Sequence, residues 1–175
     1  MFNGYIGRFL KKNKLRLVAA LLALCMLLMS ILVFVQPVGA ATYQQLDPTY
    51  REIVFQNCEL GGVDPYIVLA LIDTESGNDP NAVNSSGTCF GLCQIHKCWE
   101  KKAAALGCDI FTPEGNIVWC IWMLSSIQAE DCDLNHMLVR YNTGKLATES
   151  SKYSRGIIAK AEALRAMETC TDGVQ

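Results

Sequence analysis

The sequence predicts a predominantly all-α domain behind an N-terminal apolar segment. Three observations predict it. From residue 47 onward, helix starts recur as Asp-Pro or Thr-Pro pairs and helix stops as Gly. Between these signals lie dense apolar faces, with no strand-like alternation longer than a few residues. Ahead of them, "LVAALLALCMLLMSILVFV" runs from Leu17 to Val35 without a charge.

That first element follows "RFLKKNKLR", which carries Arg8, Lys11, Lys12, Lys14 and Arg16. A basic flank before a long apolar run is an export or membrane signal, with the basic end kept in the cytoplasm. Val38-Gly39-Ala40 fits a small-residue cleavage site and makes Ala41 a candidate mature N-terminus. The 19-residue run is longer than a usual signal-peptide core and about long enough to span a bilayer. A cleaved leader and an uncleaved anchor both remain open, and in the second case residues 17–35 hold the protein to the membrane. Either way the expected division is residues 1–40 as signal or anchor and residues 41–175 as one domain facing outward.

The helices of that domain follow in order. In "LDPTYREIVFQNCELGG", Asp47 caps, Pro48 takes the first helical position, and Gly61-Gly62 ends the helix. "VDPYIVLALIDTESG" repeats the arrangement with Asp64, Pro65 and Gly77, and Tyr66 to Ile72 is apolar nearly all round, as in a core helix. "KCWEKKAAALG" reads as helical up to Gly107, and "FTPEGNIVWCIWMLSSIQ" as a helix from Thr112-Pro113. "DLNHMLVRYNTG" gives a short helix capped by Asp133 and ending near Asn142. "SSKYSRGIIAKAEALRAM" is a final amphipathic helix, slightly weakened by Gly156.

Charge and cysteine content narrow the function. All 17 acidic residues but only ten of the 15 basic ones lie beyond residue 40, so the domain carries a net charge of −7. Such a domain is a poor nucleic-acid binder, and a polymer it binds is recognised in a groove rather than by bulk charge. Eight of the nine cysteines (Cys58, Cys89, Cys93, Cys98, Cys108, Cys120, Cys132 and Cys170) lie in the domain, and Cys25 lies in the apolar run. An even number in an exported domain suggests disulfides, of unassigned pairing, with buried free thiols as the alternative. A metal is not expected: there is no Cys-x-x-Cys pair, and His96 and His136 are far apart. Cys93 and His96 lie three apart but lack an orienting third residue, which disfavours a cysteine nucleophile.

The candidate site centres on Glu75, which closes the greasy second helix. A carboxylate there opposes the helix dipole, and partial burial adds to the effect, so both raise its pKa. A raised pKa keeps a carboxyl protonated near neutral pH, as a general acid requires. On helix position alone, an exposed and inert Glu is the commoner outcome. The surrounding motifs change that balance. Glu75-Ser76 closes a hydrophobic helix, Gly91-Leu92-Cys93-Gln94 follows a polar loop, Asn116-Ile117 begins a helix after Pro113, and Tyr141-Asn142-Thr143-Gly144 ends another, with Tyr153 beyond. In order and setting, residues 47–165 resemble the lytic transglycosylases of the lysozyme-like superfamily, those related to goose-type lysozyme. The resemblance departs at Cys93, where the family has Met, and in the absence of the Pro that often follows that motif. Cys89 and Cys98 flank Cys93, so a disulfide, of unassigned pairing, would brace the loop in place of Met packing.

The resemblance implies a lysozyme-like helical domain with a substrate cleft and without a cofactor. Glu75 would act as acid and then base in cleaving the bond between N-acetylmuramic acid and N-acetylglucosamine in peptidoglycan strands, leaving a 1,6-anhydromuramic end. Ser76 would help orient Glu75, Gly91 would allow close backbone approach of sugar, and Gln94 would bond hydroxyl or acetamido groups. Tyr141 and Asn142 would line the cleft, with the Tyr141 hydroxyl towards Glu75. Asp73, two residues from Glu75, points elsewhere on a helix. Asp79 is the nearby carboxylate that a hydrolytic muramidase would need as partner. A third reading is a catalytically weak wall-binding module serving a secretion or conjugation apparatus.

Overall fold

The two Asp-Pro pairs set the first two helices. The Asp47 carboxylate accepts the Thr49 N–H at 2.8 Å and starts α1, Pro48–Gly61, which Gly62 closes at φ 64°. Asp64 accepts the Tyr66 N–H at 3.0 Å and starts α2, Pro65–Ser76, which Gly77 closes at φ 63°. Both stops need the left-handed region, where glycine meets no steric penalty. The fold is a computed structural model that describes residues 46–130, 133–145 and 149–172, the side chains of 170–172 excepted. The N-terminal apolar run, its cleavage site and Cys132 lie outside the described residues. No helix among the described residues is long and apolar enough to cross a membrane.

After α2 the chain makes a small antiparallel hairpin, β1 (Cys89–Phe90) against β2 (Ile95–His96), with Cys89 opposite His96. Val83 adds a single bridge to Phe90. The segment read as one helix up to Gly107 divides. It opens with a tight 3-10 turn at Lys97–Trp99, capped by the His96 ring, and continues as α3, Glu100–Ala105. The Thr112 hydroxyl accepts the Gly115 N–H at 3.1 Å to start α4, Pro113–Gln128. Asp133 caps α5, Leu134–Thr143. It stops at Gly144, φ 69°, rather than at Asn142, because the glycine is the residue that takes up the left-handed turn. The last helix, α6, spans Lys152–Asp172.

The five longer helices close a ring: α1 packs on α2, α2 on α6, α6 on α5, α5 on α4, and α4 back on α1. Helix α2 supplies its middle, with every residue from Ile67 to Ile72 buried. Helix α6 offers Ile157, Ala161 and Leu164, one stripe at helical spacing. Polar contacts then fix how α6 lies on α2. Lys160 pairs with Asp73 and Arg165 with Asp64, and Glu168 accepts the Tyr66 hydroxyl at 2.5 Å and also meets Arg51. The consequence for the site is positional: the end of α2 that carries Glu75 is held against the start of α6.

Among the described residues the expected disulfides are not formed. Cys58, Cys89, Cys93, Cys98, Cys108 and Cys120 are free thiols, Cys89 and Cys98 included. Their side chains take other roles. Cys58, Cys93 and Cys120 are buried in the helical core, where a thiol serves as a small apolar side chain. Cys108 donates to the Gly115 carbonyl at 3.2 Å, and Cys98 is exposed.

Candidate active site

Glu75 lies on the last turn of α2, half-buried. Its Oε1 accepts a hydrogen bond from the hydroxyl of Tyr153, on the first turn of α6. Burial raises the Glu75 pKa above its usual 4.5, and the Tyr153 bond, which favours the ionised carboxylate, offsets part of that rise. Tyr153 is itself half-buried, and burial together with the charge of Glu75 pushes its phenol far up. It therefore stays protonated and keeps donating to Glu75 across the ordinary pH range.

A cavity of about 220 Å³ opens in front of Glu75, lined by Asn84, Cys89, Gln94, Tyr141 and Asn142. The structure thus brings Glu75, Gln94, Tyr141 and Asn142 around one space. Each reaches it differently. Gln94 sits in the turn between β1 and β2 at φ 48°, and its amide nitrogen bonds the Ala82 and Gly91 carbonyls at 3.1 and 3.0 Å. Its amide oxygen is left available as an acceptor. Asn142 is exposed at the end of α5 and lines the cavity directly. Asn84, which sequence reasoning passed over, orders the loop before β1: its side-chain oxygen accepts the Thr88 and Cys89 N–H groups at 2.8 and 3.1 Å.

Three expected roles come out differently. The Tyr141 hydroxyl donates to the Cys93 carbonyl at 2.8 Å, so Tyr141 anchors the hairpin turn and Tyr153 takes the place beside Glu75. Gly91 is needed for the protein's own packing. It sits at φ 73°, and a Cβ there would fall 2.7 Å from the Asn116 side chain. Asn116 is fully buried at the start of α4, and its amide takes the Cys93 N–H at 2.7 Å while donating to the Phe90 and Ile110 carbonyls, each at 2.9 Å. Ser76 returns its hydroxyl to the Ile72 carbonyl of its own helix at 3.0 Å and does not line the cavity. The residues missed as functional, Tyr153 and Asn116, were both visible as motif positions. Their partners lie 78 and 23 residues away, a distance no local pattern encodes.

The other carboxylates and nucleophiles stand apart. Asp73 faces α6 and pairs with Lys160. Asp79 caps the Asn81 N–H at 2.8 Å in the exposed loop and does not line the cavity. Behind Glu75 the Cys58 thiol is pushed up to about 12, first by burial and then by Cys120. Burial also raises Cys93 strongly, with Cys120 and Glu75 adding to the effect. Such thiols stay protonated and unreactive. His96 spends its Nδ1 on the Cys98 N–H at 3.1 Å, so it is not a base for Cys93. No group of three His, Cys, Asp or Glu among the described residues could hold a metal ion.

Comparison with known proteins fits this arrangement. A search of curated proteins finds no significant match. Among solved structures, the chain is similar to an inactive mutant of the lytic transglycosylase Slt from Pseudomonas aeruginosa, at a TM-score of 0.56 and 15% identity. The likeness covers 67% of this chain and 24% of that one, so this chain spans about a quarter of the solved protein's length, and at that identity the likeness shows a shared fold. The family model described as the transglycosylase SLT domain matches residues 52–163, the span that contains Glu75, Asn116, Tyr141 and Tyr153. With well over half the chain inside that match, the chain belongs to the transglycosylase SLT family, within the lysozyme-like superfamily.

Proposed function

We propose that the protein is a peptidoglycan lytic transglycosylase in which Glu75 is both acid and base. One observation carries the reading: the cavity holds one carboxyl among its described lining residues, and that carboxyl is half-buried with a raised pKa. A protonated Glu75 can donate to the glycosidic oxygen between N-acetylmuramic acid and N-acetylglucosamine. The resulting carboxylate then takes the proton of the muramic C6 hydroxyl, which closes the 1,6-anhydro ring without water. Tyr153 positions Glu75 and stabilises the ionised form midway through that cycle. Gln94 and Asn142 are placed to hydrogen-bond the sugar's acetamido and hydroxyl groups. No cofactor enters this cycle.

The ordinary glycosidase pair of carboxylates supports hydrolysis. Asp79, the carboxylate that hydrolysis would draw on, lies off the cavity, which favours the intramolecular route. The basic flank and the uncharged run 17–35 support an extracytoplasmic protein, secreted or held at the membrane facing the wall. A small wall-opening domain behind a membrane signal suits service to a secretion or conjugation apparatus.

The test is mass spectrometry of muropeptides released from purified peptidoglycan by the full chain, beside Glu75→Gln. The expected result is anhydromuramic ends that disappear in the variant. Reducing ends would mark a hydrolase. No release by a folded wild type would overturn the enzyme reading and leave a wall-binding module.

A further inference from the structure

A second cavity, of about 320 Å³, shares one lining residue, Tyr141, with the one in front of Glu75. Its other principal walls are Trp99, Lys102, Trp122, Met123 and Arg140. The floor is aromatic. Trp122, 36% exposed, stacks on the buried Trp119 with ring centroids 4.6 Å apart. Over that floor hangs a cation: Lys102 Nζ lies 4.7 Å from the Trp122 ring centre and 5.3 Å from that of Trp99. The two cations of the cavity differ in what neutralises them. Arg140 is engaged by both oxygens of Glu130, at 2.5 and 3.2 Å. Lys102 has no carboxylate partner among the described residues and is held by indole faces alone.

We propose that this cavity is a subsite for the acidic peptide stem carried by muramic acid, with Lys102 bonding a stem carboxylate and the Trp99 and Trp122 rings packing its aliphatic part. The inference rests on the transglycosylase reading and deepens it by naming the form of the substrate: strands that still bear peptides. Tyr141, which lines both cavities, ties the subsite to the one in front of Glu75. Charge selects the occupant. A neutral sugar ring stacking on Trp122 would displace the ammonium from the indole and leave it unpaired. A carboxylate meets the ammonium where it already sits, over the two indole faces, and gains a charge-assisted bond. In a domain of net charge −7, a cation without a carboxylate partner among the described residues is also the feature that lets an anionic ligand approach.

The experiment compares kcat/KM on glycan strands that carry their peptides with the same strands stripped by an amidase. In Lys102→Met the ratio of the two should fall about tenfold, the loss of one charge-assisted bond. Lys102→Arg should restore most of it, and Trp122→Leu should lower it less. An unchanged ratio in Lys102→Met overturns the proposal, whether activity on both substrates is kept or lost together. Should the wild type cleave neither substrate, the transglycosylase reading fails and the subsite is read by binding alone. A soluble peptide-bearing disaccharide is titrated into the full chain and followed by tryptophan fluorescence. Binding weakened about tenfold by Lys102→Met supports the subsite, and no binding by the wild type overturns it.

Discussion

Two carboxylates near the end of α2 received opposite treatment. On one face Asp73 meets the Lys160 ammonium, and on the other Glu75 meets the Tyr153 phenol. Both partners come from α6, two turns apart, and both carboxylates are shielded from water. An ammonium answers a carboxylate's charge with an opposite one. A phenol only hydrogen-bonds it, so desolvation is incompletely offset and the pKa rises. The same helix end thus builds a structural clamp on one face and a proton donor on the other. What decides between them is the residue α6 presents at each height.

The sharpest way to break this comparison is to neutralise Glu75. In Glu75→Gln, glycan cleavage should fall about a thousandfold or more, since a positioned general acid contributes roughly 10²–10⁴ in rate. Stability should move the other way. A carboxyl whose folded pKa lies above its unfolded value favours the native state while protonated, and that advantage is lost as pH rises from about 4.5 through the folded pKa. Chemical denaturation at several pH values should therefore show Glu75→Gln gaining on the wild type across that window. A constant difference would mean that Glu75 is effectively solvated.

Asn116 gives the structural contrast, buried beneath the β1–β2 turn. Two of its three hydrogen bonds, to Phe90 and Cys93, hold the β1–β2 turn to α4, and the third holds the Ile110 carbonyl. Asn116→Ala leaves buried backbone groups unpaired and should cost about 3 kcal/mol in a denaturant melt. Gly91→Ala should also destabilise, through both the clash and the left-handed backbone. In the double variant the clash is relieved, so the two costs should sum to less than their separate values.

These contrasts also show what the sequence revealed and where it stopped. Caps and stops are local chemistry, so Asp47, Asp64, Thr112 and Asp133 could each be read as a helix start, and the structure finds each capping. Glu75 was legible as a candidate because its burial follows from the apolar run before it. The 3-10 turn at Lys97–Trp99 was not, because its geometry depends on the hairpin ahead of it. Tyr141 and Tyr153 are both tyrosines on helices near the site, and the sequence assigned the Glu75-facing hydroxyl to the wrong one. Which phenol reaches the carboxylate depends on how α5 and α6 pack, a tertiary fact without a local signature. The disulfide expectation came from counting cysteines, and counting carries no distances.

A smaller effect is expected at Tyr153. Removing its hydroxyl in Tyr153→Phe leaves burial nearly intact and deletes the interaction that lowers the Glu75 pKa. That pKa should therefore rise further. The limb of the pH–kcat profile on which activity is lost by deprotonation of the acid should move to higher pH. At the optimum kcat should fall about tenfold, because Glu75 loses its fixed orientation and its support when ionised. A fall in kcat with no movement of the limb would assign Tyr153 to packing alone.

The smallest effect should come from the other face. Asp73→Asn removes the charge opposed to Lys160 but keeps the side chain's size. The Asp73 side chain is only 9% exposed and that of Lys160 22%, so the pair is more than a surface ornament. Lys160 also reaches the Thr74 hydroxyl at 3.2 Å, which keeps the ammonium solvated when its partner becomes neutral. The cost should therefore stay near 1 kcal/mol, within the range of partly exposed pairs, and shrink in high salt. Activity and the pH profile should not change, because the two carboxylates meet different side chains of α6 and share no partner among the described contacts. A shifted pH profile in Asp73→Asn would break the comparison outright. It would mean that the clamp and the proton donor are one electrostatic unit, with Lys160 tuning Glu75 through Asp73.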